Sequence, residues 1–294
     1  MWIAALVLLA QAGDPFAAAE KHLAAGAYAQ ALGALGAAPD SARKHLIASK
    51  AHDGLGHPAQ AVEECEAALA LEPKSEAAHL QLGQIFLANN TPEGALEVFS
   101  EALDVVPGSL LLRLGKGLAL KDLARYPEAE TELAAVLERK PDFSLAFDAL
   151  ATVYLHSKRF EDLQTLAGAY AARNPGDYRG PYFRAAALEG LRRPAAAVEV
   201  LLDASLRMNP KFAAAHALLG KTRLQAGDAK GAIAPLETAL KLRPDHAPAA
   251  LHLAQAFQKC GREEEAVQAF RWVRELKERE QQPRPSLRYH RGKQ

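Results

Sequence analysis

Residues 73–107, PKSEAAHLQLGQIFLANNTPEGALEVFSEALDVVP, decide the fold. Leu82, Gly83 and Phe86 fall at helical spacing in the first half, and Ala95, Phe99 and Ala102 do so in the second. Asn90 stands between them, a residue type that accepts the left-handed backbone with which helices often end. Pro107 closes the second segment, because proline lacks an amide donor and its ring clashes with the preceding helical turn. The stretch reads as two helices joined by a tight turn.

The same landmarks recur along the chain. Pro73, Pro107, Pro141, Pro175, Pro210 and Pro244 are 34 residues apart, with one interval of 35. A fixed period of this length marks a repeat architecture and overrides the expectation of one or two ordinary globules. In phase with the prolines, Ala19, Ser49, Gly83, Gly117, Ala151, Ala185, Gly220 and Ala254 form a slot of small residues. Twelve positions later stand Ala31, Ala61, Ala95, Ala129, Leu163, Ala197, Ala232 and Ala266. Small residues on facing helices let their backbones approach closely. Phe99, Leu133, Leu201, Leu236 and Phe270, four positions after the second slot, are large enough to fill the space between neighbouring hairpins. Gly26, Gly56, Gly227 and Gly261 share the turn slot of Asn90. Composition agrees, since aromatic residues are 6% of the chain and runs of β-branched residues are nearly absent, so strands have little support.

This pattern resembles the tetratricopeptide repeat, most closely over the unit that starts near Glu76, and the resemblance covers about nine tenths of the chain. It implies an all-α fold, a right-handed superhelical solenoid of about eight antiparallel helix pairs beginning near residues 14, 42, 76, 110, 144, 178, 213 and 247. Three units depart from it. The first is short, the fifth has Leu163 for the alanine with Ala167 and Tyr170 redistributing bulk, and the sixth carries an extra residue, expected before Pro210. The organisation read from the chain is an apolar N-terminal segment over 1–12, a solenoid over 13–277 and a basic disordered tail over 278–294. Arg262 to Lys277, with charged residues around Phe270 and Val273, suits a solvated end cap.

The resemblance also implies a concave groove lined by first helices. In units two to four the groove positions include Arg43, Leu46, Lys50, Asp53, Ala77, Leu80, Gln84, Leu87, Leu111, Leu114, Leu118 and Lys121. Leucines in the centre with cations at the edge would take an extended peptide or amphipathic helix carrying apolar anchors and acidic groups. Packing between repeats is the competing role for Leu111, Leu114 and Leu118. Some family members clamp the C-terminal carboxylate of chaperones, but Lys50 and Gln84 stand where asparagines are wanted, which argues against that ligand.

Catalytic chemistry finds little footing. Gly220-Lys221-Thr222 ends like a phosphate-binding loop, yet Ala215 replaces the required earlier glycine and the segment is helical. Ten histidines show no H-E-x-x-H spacing; His45, His79 and His216 share a partly buried repeat slot and read as packed side chains, as does His52. Cys65 and Cys260 make no redox or metal spacing, and nearly six repeats of about 10 Å each would keep them from bridging. No cofactor and no metal is expected. Zero formal net charge, from 35 basic and 35 acidic residues, lacks the positive field that nucleic-acid binding needs.

MWIAALVLLAQA at residues 1–12 is shorter than the ~20 residues that span a bilayer, so no integral membrane span is expected. Ala10-Gln11-Ala12 matches a secretory cleavage site, although no Lys or Arg precedes the apolar run, and an apolar lid on the first repeat is the alternative. Cleavage would make the protein periplasmic or secreted; retention would leave it cytoplasmic. The expected function is a non-catalytic scaffold that binds a protein or peptide partner, with a role in cell-envelope assembly. A cytoplasmic adaptor or regulatory protein, or a non-catalytic subunit that targets a separate enzyme, are the alternatives, and self-association through the end repeats stays open.

Overall fold

The computed structural model describes Asp14, residues 16–36, residues 38–280 and Leu287. The N-terminal segment and the rest of the tail lie outside the described residues. Among the described residues there are sixteen helices and no strands. They pair as α1 (Ala17–Ala24) with α2 (Tyr28–Ala34), α3 (Ala42–Gly54) with α4 (Pro58–Leu71), α5 (Glu76–Ala88) with α6 (Pro92–Val105), and α7 (Leu110–Asp122) with α8 (Tyr126–Arg139). The second half has α9 (Ser144–His156) with α10 (Phe160–Arg173), α11 (Arg179–Gly190) with α12 (Ala195–Met208), α13 (Ala213–Gln225) with α14 (Ala229–Leu242), and α15 (Ala247–Lys259) with α16 (Glu263–Glu280). The eight helix pairs expected from the period are present. The last helix runs three residues beyond Lys277.

The chain forms two compact units. Unit 1 holds the residues up to Val136 together with Leu287, and unit 2 starts at Leu137 and includes α16. Within unit 1, α3, α5 and α7 lie side by side, each second helix packing against the following first helix; α11, α13 and α15 repeat the arrangement in unit 2.

The turn inside every hairpin is built alike. Gly26, Gly56, Gly227 and Gly261 have φ between 70 and 91°, and Asn90, Ala124, Lys158 and Arg192 take the same slot at φ 55–59°. In the third hairpin the Thr91 amide donates to the Phe86 carbonyl and the Asn90 amide to that of Leu87, which satisfies carbonyls left open by the helix end. Three non-glycine residues beyond asparagine thus accept a strained backbone because the hairpin demands it.

The packing slots hold with one shift. Ala19, Ser49, Ala151, Ala185 and Ala254 are fully buried, as are Ala31, Ala61, Ala95, Ala129, Leu163 and Ala232. A β-carbon at Gly83 would run into the ring of Phe99, and so would one at Gly115 of the next hairpin. Phe99 is therefore wedged between two first helices that give up their side chains to admit it. Leu133 over Gly117 and Leu236 over Gly220 repeat the motif. In the sixth hairpin Ala197 is exposed and Val198 and Leu202 are buried instead, so Leu201 does not fill the interior slot expected of it. The extra residue sits in the turn as Pro194, ahead of α12, and not before Pro210, which moves the buried register by one. Phe270 is 38% exposed, because among the described residues no further first helix follows to cover it, while Ala269 and Val273 are buried.

Pro235 lies inside α14 and cannot donate to the carbonyl of Gly231. The Arg223 guanidinium donates to that carbonyl at 3.3 Å and also binds Glu199 at 3.1 Å, so the lost backbone bond is replaced.

Candidate interaction face

The groove residues predicted from the repeat fall on three adjacent first helices of unit 1: Arg43 and Lys50 on α3, Leu80, Gln84 and Leu87 on α5, Leu111, Leu114, Leu118 and Lys121 on α7. Helical periodicity places the corresponding positions of each helix on one side. Leu80 and Leu87 are half-buried and pack against an apolar cluster that includes Leu82, Ile85, Phe86, Phe99 and Leu112. Gln84, between them along α5, is exposed. Leu111 is 47% exposed and Leu118 is half-buried, so both present apolar surface. Leu114 is only 5% exposed and serves inter-helix packing.

Electrostatics on this face differ from residue to residue. Arg43 is held by Asp14 at 2.8 Å and Glu20 at 2.9 Å, and its guanidinium lies 4.7 Å from the centre of the Phe16 ring. It ties the first hairpin to the second. Lys121 pairs with its neighbour Asp122 at 2.6 Å. Lys50 is exposed and forms no ion pair among the described residues. Gln81 donates to Asp53 at 3.2 Å and Ser109 to Glu76 at 2.6 Å, two bonds that link successive first helices. Arg113 and Lys116 converge on Glu132 of α8 at 2.7 and 2.8 Å.

The residues weighed for chemistry are absorbed by packing. His79 Nε2 lies 3.0 Å from the Pro73 carbonyl and His216 Nε2 lies 2.9 Å from that of Pro210. The shared histidine slot is thus a staple to the proline that closes the preceding hairpin. His45 instead sits between Glu64 at 2.6 Å and Asp40 at 2.9 Å. Lys221 pairs with Glu189 at 2.8 Å inside a helical array and Thr222 is buried, so the loop-like tripeptide presents no phosphate cradle. Cys65 and Cys260 are free thiols. Burial pushes the Cys65 thiol up to about 12, where it stays protonated and accepts or donates a contact with Ser49 at 3.0 Å. Among the described residues no cluster of His, Cys, Asp or Glu could hold a metal ion, and no helix is long and apolar enough to cross a membrane.

Two tetratricopeptide repeat models match the chain, one at residues 86–153 and 223–277, the other at 46–109 and 182–237. The chain belongs to the tetratricopeptide repeat family. No curated protein matches it significantly. A tetratricopeptide repeat protein from Parabacteroides merdae superposes with a TM-score of 0.68 at 15% identity, over 81% of this chain and 96% of that one. Yeast Tom70 gives 0.65 at 18% identity, over 90% of this chain and 62% of that one. A chain of the APC/C hetero-tetramer Cut9–Hcn1 gives 0.62 at 15% identity, over 81% of this chain but only 48% of the other. This chain therefore spans about half the length of the last and under two thirds of Tom70. These superpositions show a shared fold. Membership in a family of protein-interaction scaffolds carries the coarse function, contact with another polypeptide.

Proposed function

We propose that this tetratricopeptide repeat protein is a non-catalytic scaffold that holds an extended or helical partner segment on the first-helix face of hairpins two to four. The observation that carries the reading is the row of partly exposed leucines, Leu80, Leu87, Leu111 and Leu118, on two adjacent first helices of unit 1, α5 and α7. Apolar anchors on the partner would cover them, and Lys50, with no ion pair among the described residues, would meet an acidic group. Arg43 does not take part, because two carboxylates already occupy it.

Leu80→Asp with Leu87→Asp tests this face. Loss of two half-buried leucine anchors should weaken partner binding by about 100-fold or more, at unchanged helicity by circular dichroism. Binding that survives in a folded double variant removes the face from consideration.

For the compartment we propose export, with removal of residues 1–12 and a role in envelope assembly, on the strength of Ala10-Gln11-Ala12. The mass of the mature protein from separated periplasm and cytoplasm decides it. An intact N-terminus in the cytoplasm would favour a cytoplasmic adaptor instead.

A further inference from the structure

The last helix of unit 2, α16, carries two stripes side by side. Ala266, Ala269, Val273 and Leu276 are buried in the apolar cluster that α16 shares with α14 and α15. Beside them, Glu263, Val267, Phe270 and Arg274 follow at alternating steps of four and three residues, the spacing that keeps side chains on one seam between paired helices. All four are exposed, Val267 at 60%. In other hairpins the same two apolar slots are interior. Val62 and Ile233 match Val267, while Phe99, Leu133 and Leu236 match Phe270, and all five are buried. A solvated cap would carry polar side chains at both slots. Instead α16 presents an apolar pair with a carboxylate at one end and a guanidinium at the other, and Glu263 and Arg274 form no ion pair among the described residues.

The order of charges selects the occupant. Glu263 precedes Val267 by four residues and Arg274 follows Phe270 by four, so a two-fold axis midway between Val267 and Phe270 maps the stripe onto itself. An antiparallel copy sets Val267 opposite Phe270 of the second copy and Glu263 opposite its Arg274, and each contact occurs twice. A parallel copy would set glutamate against glutamate and arginine against arginine, which repel. We infer that the protein self-associates through α16, in an antiparallel, two-fold symmetric pair with a second copy of this chain. From Glu263 to Arg274 the seam is about 16 Å long at 1.5 Å per residue. A contact of that length on one helix falls short of the ~800 Å² per partner of a standard stable interface, so the dimer is weak, concentration-dependent and sensitive to salt. The pairing uses no residue of the unit 1 face, so either surface can fail its test alone.

Sedimentation equilibrium of the purified full-length protein, from about 10 to 500 μM, tests the pairing and should show a monomer–dimer equilibrium that weakens as salt rises. Val267→Asp/Phe270→Asp should raise the dimer Kd at least about tenfold, at unchanged helicity by circular dichroism. Glu263→Arg or Arg274→Glu alone makes both symmetry-related pairs repulsive and should raise it about fivefold or more. Mixed in equal amounts, those two single variants place opposite charges across both contacts again, and they should associate as a heterodimer near the wild-type Kd. A photo-reactive phenylalanine analogue at Phe270 should link to Val267 of a second copy and give a product of dimer mass. A monomer over the whole range overturns the proposal, as does indifference to the two aspartates or a mixture that associates no better than its components. A link within the same chain, or to another helix of the second copy, overturns it too, because the stripe would then be covered by a different occupant.

Discussion

Units 1 and 2 share one 34-residue frame, yet the matching slots of their first helices are filled by different chemistry. In unit 1 the slots hold Leu80, Leu87, Leu111 and Leu118, with one open cation at Lys50. In unit 2, beside Leu145 and Leu155, they hold Asp148 and Arg179, 4.0 Å apart across α9 and α11, and Glu189 and Lys221, 2.8 Å apart across α11 and α13. Charge pairs thus bridge successive first helices from α9 to α13 in unit 2, whereas in unit 1 such a pair, Arg43 with Glu20, joins only α1 to α3, and α5 and α7 carry leucines in these slots, as α9 does at Leu145. The frame fixes where side chains go; slot chemistry decides what each face presents.

Their interiors differ too. The third hairpin of unit 1 gives up side chains at Gly83 so that Phe99 can enter from the second helix. The fifth hairpin of unit 2 keeps Ala151 and stacks Phe147 on Tyr170, with ring centres 3.6 Å apart and planes 4° apart. Tyr170 donates to Asp177 at 2.7 Å. Burial and the neighbouring carboxylate raise the Tyr170 phenol above its ordinary value. Against the opposing push of burial, the Tyr170 hydroxyl and Arg179 hold Asp177 below the ordinary carboxylate range. Bulk has moved from a wedge between helices to a stack within the hairpin.

The interior contrast breaks most forcefully at Phe99→Ala, which should cost unit 1 about 3–5 kcal/mol in chemical denaturation, because the glycines around the ring have no side chains to refill the space. Tyr170→Phe in unit 2 should cost only about 1 kcal/mol, since the stack survives and Asp177 retains Arg179. Equal losses would mean that the two hairpins are not locked differently. Gly83→Ala should destabilise by about 1–3 kcal/mol through overpacking on Phe99, and a smaller residue, Phe99→Leu, should recover part of the loss in the double variant.

A smaller effect sharpens the comparison at the turns. Lys158→Gly and Ala124→Gly should each raise stability by about 0.5–1 kcal/mol, because glycine occupies the left-handed slot without the penalty of a β-carbon. A destabilised glycine variant would show that those backbones are not strained.

The smallest effect is a pH dependence in unit 2. Burial and then Arg243 lower the His246 pKa, and its Nδ1 accepts the Ala249 amide at the start of α15; burial and then Lys221 lower that of His252. Both therefore favour the neutral form when folded. Their contribution is complete above the unfolded value of about 6.5 and is lost as pH falls below it towards the folded values. Thermal unfolding followed from pH 7.5 to 5 should show this loss, and His246→Asn, a cap that does not titrate, should flatten it.

Much of this was legible in the sequence, for physical reasons that also mark the limit. Proline spacing and the small slots reveal the hairpins, because helix ends and close approaches restrict residue type severely. Ala124, Lys158 and Arg192 hid their turn slot, since the surrounding hairpin imposes the left-handed backbone on residues that do not announce it. A 35-residue interval signals an insertion without locating it, so Pro194 and the shift from Ala197 to Val198 needed coordinates. Arg43 read as an edge of the groove because its partners, Asp14 and Glu20, are distant along the chain.

The contrast between the two faces is tested most directly by a photo-crosslinker placed in turn at Gln84 and at Gln255, the same repeat slot in units 1 and 2, within the full-length protein in its native host. The account predicts a crosslinked polypeptide from Gln84 that Leu80→Asp/Leu87→Asp abolishes, and none from Gln255. A crosslink from Gln255 alone, or of equal strength from both positions, would contradict it.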